Sequence, residues 1–190
     1  EVNARRANPS RVISLRRIEE LQEWRDGRIG AGVTYARMEI GRHASLAELA
    51  RTVGSPQIRN AGTIGGNLGT ASPAGDSLPF LYALDAGIEL RSATETRVVP
   101  VHDFITGVKR TAIGPGEVIT AALLPEHIPR RQAFGKIGLR NAMVISMVSA
   151  CVFRDDDGAT RVALGAVGPT VIRARRAEEM ISAEPTPSDG

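Results

Sequence analysis

The sequence predicts an α+β fold. Up to about residue 125, segments with helical periodicity are mixed with short strand-like segments. Beyond that point, the residues with strand character are 132–139, 143–154 and 161–167. The string DDDG at 155–158 predicts a tight turn between the last two, so they are expected to pair antiparallel. A helix over 173–181 is expected to close this part of the chain.

Prolines mark the best internal boundary. Pro125 and Pro129 lie between the mixed part and the antiparallel part, and proline interrupts helices and sheets alike. We therefore predict two domains, residues 1–125 and 126–190. A chain of 190 residues that is 42% apolar can bury one core or two small ones.

For the first segment, residues 11–33, the sequence pattern does not decide between helix and strand. Residues 11–15 fit a short strand, and residues 21–24 and 29–33 flank Asp26-Gly27, which is a hairpin signal. Apolar residues also recur at three-residue spacing from Leu15 to Trp24, and this periodicity alone favours a helix.

Three helices and three strands are predicted next. Ser45 and Glu48 form a capping box that opens a helix ending at Val53. Pro56 fits the first turn of a helix over 56–60, and residues 76–84 form a helix with one broad apolar face. The remaining segments are strands at 86–92, 97–101 and 117–124 and a short segment at 102–105.

Composition excludes several functional classes. One cysteine, Cys151, allows neither an internal disulfide nor an iron–sulfur cluster held by this chain alone, and its apolar neighbours predict a buried thiol. The net charge of +3 comes from scattered arginines, and only 4% of residues are aromatic, which argues against nucleic acid. No window is apolar enough for a membrane span and no signal segment opens the chain, which predicts a cytoplasmic protein.

No catalytic residues or metal ligands are predicted. The three histidines, His43, His102 and His127, are dispersed, and the acidic run at 155–157 is better explained as a solvated hairpin. Small arginine clusters such as Arg16-Arg17 fit a solvated face first and an acidic partner surface second.

The most informative segment is the glycine-rich run at 60–76. It places Gly62, Gly65, Gly66 and Gly69 within eight residues. Paired glycines let the backbone approach a ligand and point N–H groups into one concavity, which suits phosphate or flavin oxygens. The run is neither a Walker loop nor G-x-G-x-x-G, and for a lone Gly-Gly pair a strained turn without ligand is the alternative.

This run carries a family resemblance. Residues 58–67 read IRNAGTIGGN and residues 71–76 read ASPAGD, which resembles the central FAD-binding signature of molybdenum hydroxylases, the xanthine dehydrogenase and carbon monoxide dehydrogenase family. Residues 116–119 (GEVI) and 134–140 (FGKIGLR) resemble further motifs of the family in the same order. The resemblance covers most of the chain, and it is the main reason for preferring strands at 11–33.

The resemblance implies a specific fold. It is the PCMH-type FAD-binding domain, similar to that of vanillyl-alcohol oxidase, followed by a partial C-terminal subdomain of antiparallel strands and a helix. The family begins with a small α/β subdomain whose glycine-rich turn holds the FAD pyrophosphate. No such turn occurs in this sequence, so we expect that first subdomain to be absent.

The resemblance also implies which residues contact FAD. They are Val53, Gly54, Ile58, Gly62, Thr63, Gly65, Gly66, Asn67, Gly75, Asp76, Val118, Ile119 and Lys136. Thr63 and Asn67 would bind the phosphate and ribityl region, Asp76 the ribityl hydroxyls, and Lys136 the negative charge of the reduced flavin. Without the resemblance, Asp76 would be a helix N-cap and Lys136 a surface lysine.

By resemblance, the chain is the FAD-binding electron-transfer portion of an oxidoreductase. A large subunit with the molybdenum cofactor would oxidise substrate, a small subunit with 2Fe–2S clusters would pass the electrons to FAD, and NAD, oxygen or quinone would accept them. Two alternatives remain: another PCMH-type flavin reductase or oxidase, and a docking module that binds no flavin.

Overall fold

The computed structural model describes residues 8–25, 27–139 and 144–184. Within these residues the helices are α1 (Glu19–Gln22), α2 (Tyr35–Met38), α3 (Ala44–Thr52), α4 (Pro56–Ala61), α5 (Ile64–Thr70), α6 (Ser77–Ala83), α7 (Val101–Phe104) and α8 (Arg175–Ser182). The strands are β1 (Trp24–Arg25), β2 (Arg28–Gly30), β3 (Gly87–Arg91), β4 (Thr96–Pro100), β5 (Ile105–Gly107), β6 (Arg110–Thr111), β7 (Val118–Leu123), β8 (Arg131–Ile137), β9 (Val148–Arg154), β10 (Thr160–Gly165) and β11 (Ile172–Arg173). The predicted α+β fold is confirmed.

The first sheet has the strand order β1-β2-β7-β3-β4, and all its neighbouring strands are antiparallel. The hairpin predicted around Asp26-Gly27 is confirmed by the β1–β2 pair, although Asp26 itself lies outside the described residues. Gly27 has a φ of +75°, a conformation that glycine adopts without strain. β7 is central in this sheet and pairs with both β2 and β3.

The strand predicted at 11–15 is wrong. These residues form neither helix nor strand, and Val12 and Ile13 are each 75% exposed. Because no strand of the described residues pairs with them, their apolar side chains have no sheet face to cover. The helical periodicity that follows is realised only over one turn, α1, whose Leu21 is buried.

The second sheet has the order β11-β10-β9-β8, again antiparallel. The predicted turn at 155–158 joins β9 to β10, and Gly158 has a φ of +90° there. The predicted strand at 143–154 begins at Val148, and residue 143 lies outside the described residues. The closing helix is α8, which starts two residues later than predicted because Arg173 belongs to β11.

The predicted capping box is wrong. Helix α3 begins at Ala44 with His43 at its N-cap position, so Ser45 lies inside the helix. The Ser45 hydroxyl donates to the Gln132 side-chain carbonyl at 2.7 Å, and the Glu48 carboxylate accepts from the Phe134 N–H at 3.1 Å. These side chains attach α3 to β8 and leave the helix end without a side-chain cap.

One hydrophobic core extends across the predicted boundary at residue 125. Leu78 and Phe80 of α6 belong to the same buried cluster as Phe134, Cys151 and Phe153 of the second sheet. The Phe80 and Phe153 rings lie 5.6 Å apart edge to face. Burial raises the pKa of the Cys151 thiol to about 12, as expected for a structural cysteine. The division into two domains stays a prediction.

Candidate functional site

A cavity of about 490 Å³ opens between the loop after β2, the start of α5 and the start of β7. Its volume is in the range of small-molecule and cofactor sites. Its lining residues are Leu15, Arg16, Leu21, Gln22, Ala31, Gly32, Thr34, Asn60, Ala61, Thr63, Gly65, Gly66, Ile113, Val118 and Ile119. The glycine-rich run and the β7 motif, more than 40 residues apart in the sequence, therefore meet at one cavity.

The glycine-rich run contains a helix, α5, rather than an open loop. Thr63 is its N-cap, and its hydroxyl accepts the Gly66 N–H at 3.0 Å. The N–H groups of Ile64 and Gly65 donate to the Val33 and Ala31 carbonyls at 3.1 and 2.9 Å. The expected concavity of free N–H groups is therefore wrong for these residues, because the helix start is attached to the loop after β2.

The paired glycines have two different roles. A Cβ on Gly65 would lie 2.6 Å from the Ala31 Cβ, so glycine is required there for close packing. A Cβ on Gly66 would meet, among the described residues, only the Thr63 Oγ1 at 3.3 Å. Neither glycine has a positive φ, so the strained turn is also wrong. Gly66 leaves room in the cavity wall.

Asn67 and Gly75 do not line the cavity. The Asn67 side-chain oxygen accepts from the Ser77 hydroxyl at 2.7 Å, and the Tyr35 hydroxyl lies 3.3 Å from the same Ser77 oxygen. A Cβ on Gly75 would lie 2.7 Å from the Asn67 oxygen. Burial raises the pKa of Tyr35 well above its usual range, so this phenol stays neutral. These residues fix α5 against α6.

Asp76 and Lys136 form a buried ion pair outside the cavity lining. The Lys136 ammonium donates to the Asp76 carboxylate at 2.7 Å and to the Thr52 carbonyl at 2.9 Å. The Ser146 hydroxyl donates to the other Asp76 oxygen at 2.6 Å. Asp76 occupies the N-cap position of α6, but its side chain makes no capping hydrogen bond, so that alternative is wrong. Lys136 is not a surface lysine, since its side chain is only 9% exposed.

Four predicted contact residues lie in or beside helix α4 and do not line the cavity: Val53, Gly54, Ile58 and Gly62. The Arg59 guanidinium donates to the carbonyls of Val53 and Gly54 at 3.4 and 3.1 Å, and the Ile58 side chain is 54% exposed. The Gly62 carbonyl accepts the Tyr35 N–H at 3.1 Å. Their predicted contacts with a flavin stay predictions.

Val118 and Ile119 do line the cavity, and an ion pair fixes the loop before them. Glu117 accepts from Arg97 at 2.6 and 2.8 Å and from the Gly114 N–H at 2.6 Å. The Arg97 hydrogen bonds and the Gly114 N–H lower the pKa of Glu117 to about 2. The pair therefore stays ionised at neutral pH and positions the segment that carries Ile113 and Val118.

Five predicted site residues lie together at the cavity: Thr63, Gly65, Gly66, Val118 and Ile119. The sequence interpretation did not include the ten other lining residues. Asn60 and Ala61 belong to the glycine-rich run. The other eight lie outside the recognisable motifs, so no local pattern marks them. In the sequence, Arg16 stands out only as part of the Arg16-Arg17 cluster.

No metal centre is evident in the part of the chain that the structure describes, where no three His, Cys, Asp or Glu side chains gather to hold an ion. Among the helices given above, none is both long and apolar enough to cross a membrane.

Similarity to known proteins covers the cavity and most of the chain. Residues 1–127 match the family described as the FAD binding domain in molybdopterin dehydrogenase. The nicotinate dehydrogenase FAD-subunit of Eubacterium barkeri is 34% identical, over 97% of this chain and 69% of that protein. The carbon monoxide dehydrogenase medium chain of Afipia carboxidovorans is 34% identical, over 65% of this chain and 46% of that protein. The chain thus spans about half to two thirds of these relatives.

Solved structures agree in fold. The Cu,Mo-CO dehydrogenase in its cyanide-inactivated form matches with a TM-score of 0.83 and 28% identity, over 94% of this chain and 67% of that chain. The quinoline 2-oxidoreductase of Pseudomonas putida 86 matches with a TM-score of 0.79 and 27% identity, over 88% of this chain and 62% of that one. From its matched residues and these relatives, the chain belongs to the family of FAD-binding domains of molybdopterin dehydrogenases.

Proposed function

We propose that this chain is the FAD-binding electron-transfer portion of a molybdenum-hydroxylase-type oxidoreductase. Electrons would arrive from the 2Fe–2S clusters of a small partner subunit, after substrate oxidation at the molybdenum cofactor of a large one. They would leave to NAD, oxygen or a quinone. The names of the relatives, among them a nicotinate dehydrogenase FAD-subunit and a carbon monoxide dehydrogenase medium chain, support this proposal.

The observation that carries the proposal is the meeting of two motifs at one cavity. Thr63, Gly65 and Gly66 come from the glycine-rich run, and Val118 and Ile119 come from the central strand of the first sheet. Each motif alone would be ordinary packing. Together they form a concave surface of cofactor size, in a family named for FAD binding.

The residues of the cavity fit part of a flavin nucleotide. Gly66 leaves space that any side chain would fill, and Val118, Ile119 and Ile113 offer an apolar surface for an aromatic ring system. Hydroxyl and amide groups of Thr63, Thr34, Asn60 and Gln22 can hydrogen-bond polar groups of the ligand. When bound, FAD would supply two-electron redox chemistry, and this chain would hold and orient it and exclude water.

An FAD titration of the 190-residue chain tests the proposal, with flavin absorbance and fluorescence as readouts. Saturable binding by the unchanged chain is expected. Gly66→Val should weaken it about tenfold or more, because the branched side chain enters the cavity. Gly135→Val is the matched control: a Cβ there meets no described atom within 4 Å, and the position lies on β8, away from the cavity.

Failure of the unchanged chain to bind FAD would contradict the proposal and favour the docking module. Equal loss in the Gly66 and Gly135 variants would contradict a specific role of the cavity wall at Gly66.

A further inference from the structure

We propose that Arg16 binds a phosphate group of the flavin nucleotide at the rim of the cavity, and so makes the site selective for phosphorylated flavins. This inference rests on the proposed function. Arg16 lies in a turn before α1, outside the segments that the sequence motifs mark. It is a binding and specificity residue, with no part in redox chemistry.

The charge of the cavity is the first argument. Among the fifteen lining residues that the structure describes, Arg16 is the single charged one, and no Asp or Glu is present. A cavity with one cation and no carboxylate favours an anionic ligand over a neutral one of the same shape. FAD and FMN carry phosphates at neutral pH, and riboflavin carries none.

The availability of the guanidinium is the second argument. Across residues 8–25, 27–139 and 144–184, no acceptor forms a hydrogen bond or ion pair with Arg16. The nearby Glu20 carboxylate is engaged elsewhere, at 2.6 Å from Arg91 and 3.9 Å from Arg28. Arg97, which is partly buried, is by contrast occupied by Glu117. As far as the described part of the chain is concerned, the five N–H donors of Arg16 are therefore available to a ligand.

The distribution of polarity in the cavity is the third argument. Leu21 and Ala31 are buried at its floor, whereas Arg16, Asn60 and Gly66 are exposed at its rim. An uncharged part of a ligand would be sheltered on the floor, and a phosphate would remain at the hydrated rim. The planar fork of arginine matches two phosphate oxygens, so the contact can be bidentate.

The test compares FAD, FMN and riboflavin as ligands of the full 190-residue chain. In Arg16→Gln, we expect the affinities for FAD and FMN to fall about tenfold, with riboflavin affinity unchanged, because only a charge-assisted hydrogen bond is lost. Arg16→Lys should lie between, since it keeps the charge but loses the fork. Added salt should weaken FAD binding more in the unchanged chain than in Arg16→Gln.

Arg17→Gln is the matched control, because Arg17 is the adjacent exposed arginine and does not line the cavity. It should bind all three flavins like the unchanged chain. Equal affinity of Arg16→Gln and the unchanged chain for FAD would overturn the role of Arg16 alone. An equal loss for riboflavin and FAD would overturn it too, since the effect would then be structural. If the unchanged chain binds none of the three flavins, the proposed function fails with it.

Discussion

At the scale of single residues, the Asp76–Lys136 pair changes how variants of the site must be interpreted. Both side chains were predicted to contact a flavin, yet each is neutralised by the other and both are more than nine-tenths buried. Removing either one leaves an uncompensated charge in the interior. A loss of FAD binding in an Asp76 variant would therefore not by itself identify a ligand contact.

We expect the pair to contribute mainly to the free energy of unfolding. Asp76→Asn and Lys136→Met should each lower it by about 3–5 kcal/mol, because the remaining partner stays buried without its counter-charge. The double variant should lose clearly less than the sum of the two. Urea unfolding of the four proteins measures this, with fluorescence of Trp24, the single tryptophan, as the signal.

Strictly additive losses in that cycle would contradict the pairing. Ser146→Ala is a useful companion, since it removes only the hydrogen bond to the second Asp76 oxygen, which is 2.6 Å long, and leaves the charges in place. Ser146→Ala should lower the free energy of unfolding less than the two charge variants do, by about 1.5–3 kcal/mol.

At the scale of elements, the segment before β7 depends on one carboxylate. Glu117 receives two hydrogen bonds from Arg97 and one from the Gly114 N–H, and Arg97 also donates to the Ala112 carbonyl at 2.9 Å. These contacts join the two ends of the loop from Ala112 to Glu117 and attach the loop to Arg97 of β4. The geometry of Ile113 and Val118 at the cavity therefore depends on the ionised form of Glu117.

This dependence predicts an effect of pH. The pKa of Glu117 is about 2 in the folded chain, below its ordinary value of 4.5, so its contribution to stability is complete above about pH 4.5. That contribution is lost as the pH falls from 4.5 towards 2. We expect Glu117→Gln to be less stable than the unchanged chain at pH 7, and the difference to narrow towards pH 3. Urea unfolding at several pH values measures it.

Glu126→Gln is the control, because Glu126 is exposed and follows β7. Its difference from the unchanged chain should stay small at every pH. A Glu117→Gln difference that does not change with pH would mean that ionisation of this carboxylate does not hold the loop.

Elements also show what the sequence could and could not predict. The helix over 76–84 and three of the four strands of the second sheet follow from apolar periodicity and turn residues, which are local signals. The Ser45–Glu48 pattern is equally local, yet it fails because Gln132 and Phe134, more than 80 residues away, bind these side chains instead. The strand at 11–15 fails because a strand requires a neighbour, which the pattern of one segment cannot supply.

The candidate site likewise contains residues that the sequence marks and residues that it does not mark. Gly66 and Ile119 belong to motifs and could be found in the sequence. Ala31 reaches the cavity because β2 pairs with β7 and α5 is attached to the loop after β2. The segment with Arg16 and Gln22 is held to the same loop, where the Gly32 N–H donates to the Leu21 carbonyl at 2.7 Å. Such convergence is a property of tertiary structure.

At the scale of the whole molecule, a chain of aromatic rings connects the first sheet to the second. Trp24 on β1 stacks on His43 at 6.3 Å, His43 lies 6.3 Å from Phe80, and Phe80 meets Phe153 on β9 at 5.6 Å. Arg173 of β11 adds polar contacts across the predicted boundary, at 2.8 Å to Asp85 and 3.1 Å to the Tyr82 carbonyl. The two parts share one buried interior.

A shared interior predicts a single cooperative unfolding transition. Phe153→Ala should remove about 3–5 kcal/mol, because the ring is fully buried and leaves a cavity in the core. Trp24 belongs to the first sheet and reports the unfolding of that part. If the core is one unit, the Trp24 fluorescence transition and the far-UV circular dichroism transition should shift to lower urea concentration by the same amount. Two domains that unfold independently at residue 125 would behave differently: the circular dichroism curve would split, while the Trp24 midpoint would stay where it is in the unchanged chain. Val98→Ala is a matched control in the first sheet, since its side chain is 53% exposed and its truncation should move neither curve appreciably.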